Sequence, residues 1–443
     1  MCSVADDEAD EINFMKSETP LQNIENEECR KCNKQKASII LRKRDPYCQE
    51  CFLTSVVHKF RASLGKSKLV RAGDKVLIGF SGDAASSALL ELVKLGLSET
   101  AHKKLRFQPF LLYIDDGIIT YSTKEERHKR KDLIQQLMAS EANIPAYFTS
   151  ISDVLKTEPN FISMVENLEI NDILDSQIKD LFSSASTLTA KQDLLKKLRQ
   201  QLLLECAAEF KCSFILVADT ATKLAANLLA SVSLGGGSHL SSDVGFCDSR
   251  NKIRILRPMR DFMTHDLNYF LEFNSICYLP HKSMASGDNP YASIQTLTNK
   301  FVNDLQENFP STICAVIRTG EKMENKSSTP VSEEDLCALC VSRLDTQTVA
   351  CSALQATEYS RKISNQIFNS GEPVVNGKCT DCTCKGSSAP LTRSELEAFL
   401  CYSCRLVMRD VKDISLLPQQ LVASIKIKQS LLDTRNQIQD FLL

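Results

Sequence analysis

The four cysteines closest to the N-terminus have the spacing of a metal site. Cys29 and Cys32 form one Cys-x2-Cys pair, and Cys48 and Cys51 form a second pair, with fifteen residues between the two pairs. Two such pairs can complete the tetrahedral four-thiolate shell of a zinc ion. Because that shell leaves no position open for a substrate, we predict structural zinc. Chance spacing of buried thiols is the alternative.

A second set of cysteines lies towards the C-terminus. It consists of two Cys-x2-Cys pairs sixty residues apart, Cys337 with Cys340 and Cys401 with Cys404. The longer separation makes this a weaker zinc signal, and Cys379, Cys382 and Cys384 compete as ligands. We predict that the two outer pairs bind the metal, because residues 370–390 are rich in Gly, Ser, Pro and Thr and are typical of a loop. The absence of a second metal remains the alternative.

Charge is distributed unevenly, although the net charge is only −2. Residues 1–28 carry nine Asp and Glu against one Lys, and residues 30–75 carry thirteen Lys and Arg against three Asp and Glu. A basic segment beside a metal site indicates contact with a polyanion such as a nucleic-acid backbone. The candidate contacts are Lys34, Lys36, Arg42, Lys43 and Arg44, with Lys129 and Arg130 from the second basic cluster at Lys124–Lys131. A solvated charged surface is the alternative.

A third stretch has the pattern of a phosphate site. Val76–Phe80 is a short apolar run typical of a buried parallel strand, Ser81–Ser87 is small and polar, and Ala88–Val93 predicts a helix. The unpaired N–H groups and the dipole of a first helical turn attract anions, and small residues allow close approach. An ordinary turn between strand and helix is the alternative.

The elements that would position these residues alternate between strand and helix. Residues 71–330 therefore predict an α/β domain with a mainly parallel sheet. Its strands are predicted at Val76–Phe80, Phe107–Ile114, Ala146–Ile151, Ser213–Ala218 and Ile253–Leu256, with helices at Leu194–Phe210, Asp219–Leu229 and Thr264–Phe273. A further helix is predicted before this domain, at Cys51–Leu64. We expect residues 155–190 to form an irregular insertion and Leu416–Leu443 to form a packed amphipathic helix.

The composition is that of a globular protein, with 43% hydrophobic and 24% charged residues. The acidic N-terminus lacks the apolar core of a signal peptide, and no run approaches the roughly 20 apolar residues of a membrane helix. These features predict a cytosolic or nuclear chain with no membrane partner. In such a reducing compartment the eighteen cysteines are expected to bind metal or lie buried, not to form disulfides.

The turn after Phe80 resembles the PP-loop of N-type ATP pyrophosphatases, whose pattern is Ser-Gly-Gly-x-Asp-Ser. The chain matches at Ser81, Gly82 and Ser86. It departs from the pattern at Asp83, where a glycine is expected, and at Ala85, where an aspartate is expected. The resemblance implies a remnant nucleotide cradle made of Ser81, Gly82, Ser86 and Ser87. It leaves ATP binding in doubt, because a carboxylate beside a pyrophosphate is unfavourable.

The resemblance extends to the tRNA 2-thiolation enzymes and covers about residues 29–410. Tyr113–Ile118 resembles their Ile-Asp-Glu-Gly-Ile segment, and Arg257–Asp261 resembles their Arg-x-Lys-Pro-Leu-Lys-Asp stretch. Asn289–Ala292 resembles their Pro-Asn-Ala-Tyr segment. The similarity is greatest to the degenerate member of the eukaryotic cytoplasmic thiolation pair. It implies an α/β core like that of the PP-loop ATP pyrophosphatases and adenine nucleotide alpha hydrolases, flanked by N- and C-terminal zinc-knuckle modules.

Cysteines that handle sulfur in active family members are missing at the matching positions. Those members carry a Cys-x2-Cys on the helix before the fourth strand, whereas the matching Leu198–Cys206 holds one cysteine. Their third cysteine falls near the segment that matches His281–Tyr291, which contains none. We therefore predict that Cys206 and Cys212 are buried thiols and assign no catalytic residue.

The resemblance implies a non-catalytic subunit needed for 2-thiolation of the wobble uridine of tRNAs in the cytoplasm. The implied partners are a catalytic thiolase subunit in a heterodimer, tRNA, and a thiocarboxylated ubiquitin-like sulfur carrier. Two alternatives remain open. One is an active ATP-dependent thiolase that adenylates tRNA, and the other is a zinc-bearing adaptor in ubiquitin-like conjugation.

Taken along the chain, these features predict five segments. They are a disordered acidic leader at 1–28, a zinc module with a helix at 29–70, the PP-loop-like domain at 71–330, a second zinc module with a flexible loop at 331–410, and a C-terminal helix at 411–443.

Overall fold

The computed structural model describes most of the chain. The described residues are 27–41, 44–99, 101, 104–121, 123–139, 144–156, 162–164, 171–280, 284, 289, 291–323, 335–344 and 391–439. The predicted leader, except for its last two residues, and the predicted loop at 370–390 lie outside them. So do Arg42 and Lys43, and the division into five segments stays a prediction.

The N-terminal module is a small antiparallel hairpin followed by a long helix. Strand β1 (Ile39–Leu41) pairs with β2 (Asp45–Tyr47), and helix α1 spans Gln49–Ser67. The helix buries Phe52, Val56, Phe60 and Leu64. These residues recur every four positions, so they form one stripe along the helix. The prediction of a helix with Phe52, Val56 and Phe60 on one face is confirmed, although the helix extends further at both ends.

A seven-stranded sheet lies at the centre of the fold. Its strands are β3 (Lys75–Phe80), β4 (Gln108–Asp115), β5 (Ala146–Ser150), β6 (Ser163–Met164), β7 (Phe214–Leu216), β8 (Cys247–Asp248) and β9 (Arg254–Leu256). They run in the spatial order β6-β5-β4-β3-β7-β9-β8. The five inner strands are parallel, and β6 and β8 pair antiparallel at the edges. The predicted α/β class with a mainly parallel sheet is confirmed.

Helices cover both faces of this sheet. The helices after α1 are α2 (Ala84–Leu97), α3 (Gly117–Thr120), α4 (Lys124–Ala139), α5 (Asp172–Ser184), α6 (Leu188–Glu209), α7 (Ala221–Ser233), α8 (Leu240–Val244), α9 (Thr264–Phe273), α10 (Ile294–Asn308), α11 (Pro310–Lys322), α12 (Arg393–Ala398), α13 (Tyr402–Asp410) and α14 (Gln419–Gln439). One core joins the sheet to α1, α2, α4 and α9. On the other face, α6 packs Leu202 against sheet residues such as Leu77 and Ile215. Burial on both faces explains why β3 reads as a continuous apolar run.

The strand order reverses direction at β3. The chain places β4 and β5 on one side of this strand, and later places β7 and β9 on the other side. In open α/β sheets, the crevice at the carboxyl ends of the strands at such a point is where ligands bind. The loop Ser81–Ser87 follows β3 directly, so the fold positions it in this crevice.

The expected irregular insertion at 155–190 is wrong for the part that the structure describes. Helix α5 occupies Asp172–Ser184 and begins at Asn171, whose side chain accepts hydrogen bonds from the N–H groups of Ile173 and Leu174. It buries Ile178, Leu181 and Phe182. That spacing is helical, but the polar residues between these positions obscured it. Helix α6 also begins earlier than predicted, at Leu188.

The C-terminal part adds a further core on the α6 side of the sheet. Buried side chains from α5, α6, α13 and α14 pack there around the second set of cysteines. The predicted C-terminal helix is observed as α14, which buries Leu421 and Ile425 and leaves Ile427 and Leu431 exposed. Among the described residues, no helix is both long and apolar enough to span a lipid bilayer.

Candidate metal centres and the loop at the carboxyl end of the sheet

The N-terminal cysteines converge on one point. The Sγ atoms of Cys29, Cys32, Cys48 and Cys51 all lie within 4.8 Å of one another. The Sγ atoms of Cys32 and Cys48 are 3.9 Å apart. Tetrahedral zinc with Zn–S bonds of about 2.3 Å separates its sulfur ligands by about 3.8 Å. The donor set and its spacing therefore fit a four-thiolate metal site.

Local backbone geometry brings the two N-terminal pairs together. Asn33 adopts a left-handed conformation with φ of 49°, which lets its N–H donate to the Cys29 carbonyl at 2.8 Å. Cys48 precedes the first turn of α1, and Cys51 lies within that turn. Burial raises the pKa of the Cys29 thiol, but hydrogen bonds from backbone groups of Cys48, Cys32 and Lys31 outweigh it and lower the pKa to about 6. The thiolate, which is the form that binds metal, is thus favoured at one ligand.

The C-terminal cysteines form a second quartet. The Sγ atoms of Cys337, Cys340, Cys401 and Cys404 lie within 4.8 Å of one another, and those of Cys340 and Cys401 are 3.6 Å apart. The structure thus groups the two outer pairs, as predicted, while Cys379, Cys382 and Cys384 lie outside the described residues. Either quartet can hold a metal ion.

A lysine that the sequence did not single out accompanies the second quartet. Lys197 on α6 forms an ion pair with Asp193, and its side chain is 13% exposed. Burial lowers the pKa of Lys197, but the negative charges of Cys404 and Asp193 outweigh this effect and raise it. Hydrogen bonds with the other three cysteines of the quartet raise the pKa of the Cys404 thiol, and the positive charge of Lys197 lowers it without outweighing them. Its position 140 residues before Cys337 gave no sequence signal.

The predicted polyanion contacts divide into exposed and buried residues. Lys34, Lys36 and Arg44 are exposed near the first quartet, and Lys129 is exposed on α4. Arg130 is buried instead, with 6% exposure. Its guanidinium donates to the carbonyls of Pro280 at 2.8 Å and Ser81 at 2.9 Å. The prediction that Arg130 belongs to an exposed basic cluster is therefore wrong, because its buried side chain anchors the loop at Ser81.

The loop after β3 is packed tightly against its surroundings. Gly82 has φ of 77°, a left-handed conformation that favours glycine. A Cβ atom at this position would collide with Cδ1 of Ile134 on α4. The N–H of Leu279 donates to the Gly82 carbonyl at 2.8 Å. The conformation of a PP-loop-like turn is thus retained by contacts with the fold.

The carboxylate of Asp83 occupies the start of α2. Asp83 is the N-cap residue, and its Oδ1 accepts a hydrogen bond from the N–H of Ser86 at 2.8 Å. The negative charges of Asp219 and, to a smaller extent, Asp83 raise the pKa of Lys223 against the effect of burial. A phosphate would need the same N–H groups and the same partial positive charge. The chain already supplies an anion there, so this cradle does not fit a polyphosphate.

The remaining loop residues are also engaged or inaccessible. The Ser81 hydroxyl lies 3.2 Å from the Ser86 hydroxyl, which donates to the Asp83 carbonyl at 3.1 Å. Ser86 and Ser87 are 1% and 5% exposed. The Ser87 hydroxyl has no hydrogen-bond partner in the described part of the chain. Burial prevents it from contacting a nucleotide in the surrounding crevice.

Arginines pair with the two aspartates at the end of β4. The buried Asp115 carboxylate accepts hydrogen bonds from Arg127 Nε at 2.7 Å and from the Gly117 N–H at 2.9 Å. Arg127 also forms an ion pair with Asp175 on α5. Asp116 forms an ion pair with Arg199 on α6. These carboxylates are neutralised within the chain instead of being left available for a magnesium ion.

The two cysteines nearest to the family's sulfur-handling region are buried, as predicted. Cys206 and Cys212 are 0% and 5% exposed. Burial raises the pKa of the Cys206 thiol, and it raises that of Cys212 to about 11. Neither sulfur is an activated thiolate, because the neutral thiol dominates near neutral pH.

Comparisons with known proteins give a consistent set of relatives. A family model described as cytoplasmic tRNA 2-thiolation protein 2 matches residues 293–406. Cytoplasmic tRNA 2-thiolation protein 2-B of Xenopus laevis is 33% identical over an alignment that covers 100% of this chain and 99% of the relative. The Homo sapiens cytoplasmic tRNA 2-thiolation protein 2 is 26% identical, with 100% and 98% covered. Among solved structures, U34-tRNA thiolase NcsA from Methanococcus maripaludis, described with its 4Fe–4S cluster, has a TM-score of 0.49 at 18% identity and covers 72% of this chain and 97% of that one.

Proposed function

The chain belongs to the cytoplasmic tRNA 2-thiolation protein 2 family, and we propose that it is a non-catalytic subunit of a cytoplasmic tRNA thiolation complex. In this role it is required for 2-thiolation of the wobble uridine but does not carry out the chemistry. The names of its relatives contain both the reaction and the cytoplasmic location. We further propose that both cysteine quartets hold structural zinc.

The position of Asp83 carries the non-catalytic assignment. Thiolation of a uridine begins with its activation by ATP, and that step needs a cradle for the phosphates. In this chain, the Asp83 carboxylate accepts the Ser86 N–H at the start of α2. The Coulomb repulsion between a carboxylate and a polyphosphate at that position opposes binding.

Two further observations support this assignment. The carboxylates of Asp115 and Asp116 are paired with Arg127 and Arg199, so a magnesium ion would have to displace those arginines. The buried thiols of Cys206 and Cys212 are unsuited to attack on an activated base. Activation and sulfur transfer are thus both disfavoured, and both steps fall to a partner.

The proposed partners are a catalytic thiolase subunit, tRNA, and a thiocarboxylated ubiquitin-like sulfur carrier. The exposed cations Lys34, Lys36, Arg44 and Lys129 support contact with a tRNA backbone. Within the complex, we propose that the chain contributes a tRNA-binding surface and a surface for the thiolase in a heterodimer. ATP binding by the chain itself is not needed for this function.

Reconstitution of the heterodimer tests the proposal. We expect the variant with Cys206→Ala and Cys212→Ala to support thiolation at the parent level, and omission of the chain to abolish it. Thiolated uridine is quantified by mass spectrometry of digested tRNA, after the melting curve has established that the variant is folded. If the complex that contains this double variant is folded but inactive, the non-catalytic assignment is excluded.

An active adenylating thiolase is the competing function, favoured by the retained Ser81, Gly82 and Ser86. The isolated chain is incubated with tRNA and ATP, and pyrophosphate release is measured. We expect the chain to release no more pyrophosphate with tRNA than without it. Release by the isolated chain, or thiolation without its partner, would establish the competing function instead. A chain and complex that both fail to bind tRNA would favour the zinc-bearing adaptor.

A further inference from the structure

A broad groove lies beside α1 and outside the sites described above. Its volume is about 1200 Å³, and it is bounded by α1, residues 70–72 and residues 104–107. We call it the α1 groove. Clefts for small molecules measure about 300–1,000 Å³. The larger size of the α1 groove favours a segment of a polymer as its occupant.

The charged side chains that line the α1 groove all have the same sign. They are Arg61, Lys66, Arg71, Lys104 and Arg106. No Asp or Glu occurs among the described lining residues. Side chains of one sign along a cleft create a field that concentrates ligands of the opposite sign.

Several of these cations are available to a ligand. Lys66, Arg71 and Arg106 are exposed. Arg61 is half-buried and donates to the Leu95 carbonyl at 2.9 Å, and Lys104 pairs with Glu99, which does not line the groove. Asp74, also outside the lining, accepts the backbone N–H of Arg71 at 2.7 Å through its carboxylate. The remaining field of the groove is therefore positive, and Lys66, Arg71 and Arg106 carry most of it.

The lining of the groove also contains apolar side chains. Val57, Leu64 and Leu105 are among its lining residues, together with the buried Phe107. Grooves that bind unpaired nucleic acid combine cations, which follow the backbone, with apolar or aromatic surfaces against which the bases lie. Guanidinium groups such as those of Arg71 and Arg106 match the geometry of phosphate oxygens. The lining thus has the two components that an RNA strand requires.

Helix α1 connects the groove to the first cysteine quartet. The helix has 19 residues and is about 28 Å long. It begins directly after Cys48, and the exposed Lys34 and Lys36 lie in the loop held by that quartet. The exposed lysines of that loop therefore lie towards the N-terminal end of the helix that forms one side of the α1 groove.

We propose that the α1 groove binds the phosphate backbone of an RNA segment. This inference rests on the proposed role in tRNA thiolation and extends it with a binding site. It identifies Lys66, Arg71 and Arg106 as contacts on a surface separate from the predicted cluster at Lys34, Lys36 and Arg44. An acidic protein segment is the other class of occupant that the charge would accept, and the experiment distinguishes the two.

The test compares two triple variants of the full chain that change the net charge equally. The groove variant carries Lys66→Glu, Arg71→Glu and Arg106→Glu, and the control carries Lys300→Glu, Arg318→Glu and Lys322→Glu at exposed positions of α10 and α11. Dissociation constants for tRNA are measured at several salt concentrations. We expect binding by the groove variant to weaken about tenfold or more, and its slope of log K against log salt to fall by about 2–3 because three phosphate contacts are lost. The control should keep the slope of the parent chain.

The outcomes separate the groove from the proposed function. If the parent binds tRNA and the groove variant binds with the same affinity and slope, the groove proposal is wrong while the proposed function stands. If neither the parent chain nor its complex binds tRNA, both fail. Polyglutamate and a single-stranded RNA oligonucleotide are also compared as competitors that displace bound tRNA, with a fluorescent label near the groove as the reporter. Displacement by polyglutamate alone would assign the groove to an acidic protein partner. A neutral variant with Gln at the three positions guards against misfolding and should show an intermediate loss.

Discussion

The cysteine quartets and the carboxyl end of the sheet differ in what their polar groups are able to bind. In each quartet, four sulfur atoms lie within 4.8 Å of one another and surround one point. At the end of the sheet, Asp83 caps α2, Asp115 and Asp116 pair with arginines, and Asp219 pairs with Lys223. The quartets are arranged for a ligand from outside the chain, whereas the crevice satisfies its charges internally.

This difference separates retention of a fold from retention of a reaction. Four thiolates in such proximity would repel each other, so a bound metal cation would stabilise each quartet in that form. The crevice needs no ligand, because each charge named above has a partner in the protein. Removing metal from the quartets should therefore destabilise the protein. Substitutions in the crevice should lower the stability of the protein only by the energy of the local pair that is lost, and they should leave thiolation intact.

The largest effect is expected for the second quartet. Structural zinc contributes about 10–16 kcal/mol in small zinc domains, and Cys401 belongs to the core formed with α5, α6, α13 and α14. We expect Cys401→Ser to lose one of two zinc equivalents and to unfold this core. Elemental analysis and thermal melting measure the two effects.

The matched comparisons are Cys32→Ser and Cys277→Ser. Cys32 lies in a hairpin module, so its substitution should unfold only a local part, while Cys277 belongs to neither quartet and should have little effect. Two zinc equivalents retained in Cys401→Ser, with an unchanged melting temperature, would contradict the metal assignment.

The next effect concerns the buried ion pairs of Arg127. Arg127→Met leaves the Asp115 and Asp175 carboxylates buried without their cation, and breaking a buried pair in this way costs about 3–5 kcal/mol. We expect that loss in the free energy of unfolding measured with urea. Lys129→Met, an exposed substitution two residues away on the same helix, should change it by less than about 0.5 kcal/mol. If both substitutions change the free energy of unfolding equally little, the ion pairs of Arg127 with Asp115 and Asp175 contribute no stability.

A smaller effect should depend on pH. Burial raises the pKa of Asp219, but Lys223 and Arg257 outweigh it and lower the pKa below its usual value. The stabilisation is therefore present above the unfolded-state pKa of about 3.9 and is lost as the pH falls through the lower folded-state pKa. We expect Asp219→Asn to cost about 1–3 kcal/mol at pH 7 and progressively less below pH 4.

Urea unfolding at a series of pH values measures this dependence. Asp304→Asn, at an exposed position on α10, serves as the control and should show no such change. A loss of stability in Asp219→Asn that stays constant between pH 7 and pH 3 would exclude the ion-pair explanation.

The sequence predicts the parts of this molecule that depend on local patterns. The apolar run of β3, the Cys-x2-Cys pairs and the stripe Phe52, Val56 and Phe60 are each set by neighbouring residues, and the structure agrees with them. The departure at Asp83 was visible from the sequence as an added negative charge. Its role as the N-cap of α2 follows from the same local geometry, because aspartate is a favoured N-cap residue.

The parts that the sequence did not predict depend on contacts between distant residues. Arg127 and Asp175 are 48 positions apart, and Arg130 reaches the carbonyl of Pro280 across 150 positions. A run of basic residues on α4 looks like a surface cluster because nothing local reveals that two of its arginines face inwards. Lys197 beside Cys404 is a further case, since the two residues meet only after the C-terminal core has formed.

The smallest expected effect comes from the cap of α2. Asp83→Ala removes the acceptor for the Ser86 N–H and should cost about 1 kcal/mol, whereas Asp83→Asn keeps an acceptor and Asp83→Gly costs only a few tenths. Thiolation by the reconstituted heterodimer should be unchanged in all three variants. The glycine variant gives the most informative comparison, because it restores the family residue and removes the negative charge. If Asp83 alone blocks the crevice, this variant will bind ATP in equilibrium dialysis. We expect no ATP-dependent pyrophosphate release even then, because Asp115 and Asp116 remain paired with arginines. Release by Asp83→Gly would mean that a single carboxylate separates this chain from an active enzyme, and the contrast between quartets and crevice would reduce to that residue.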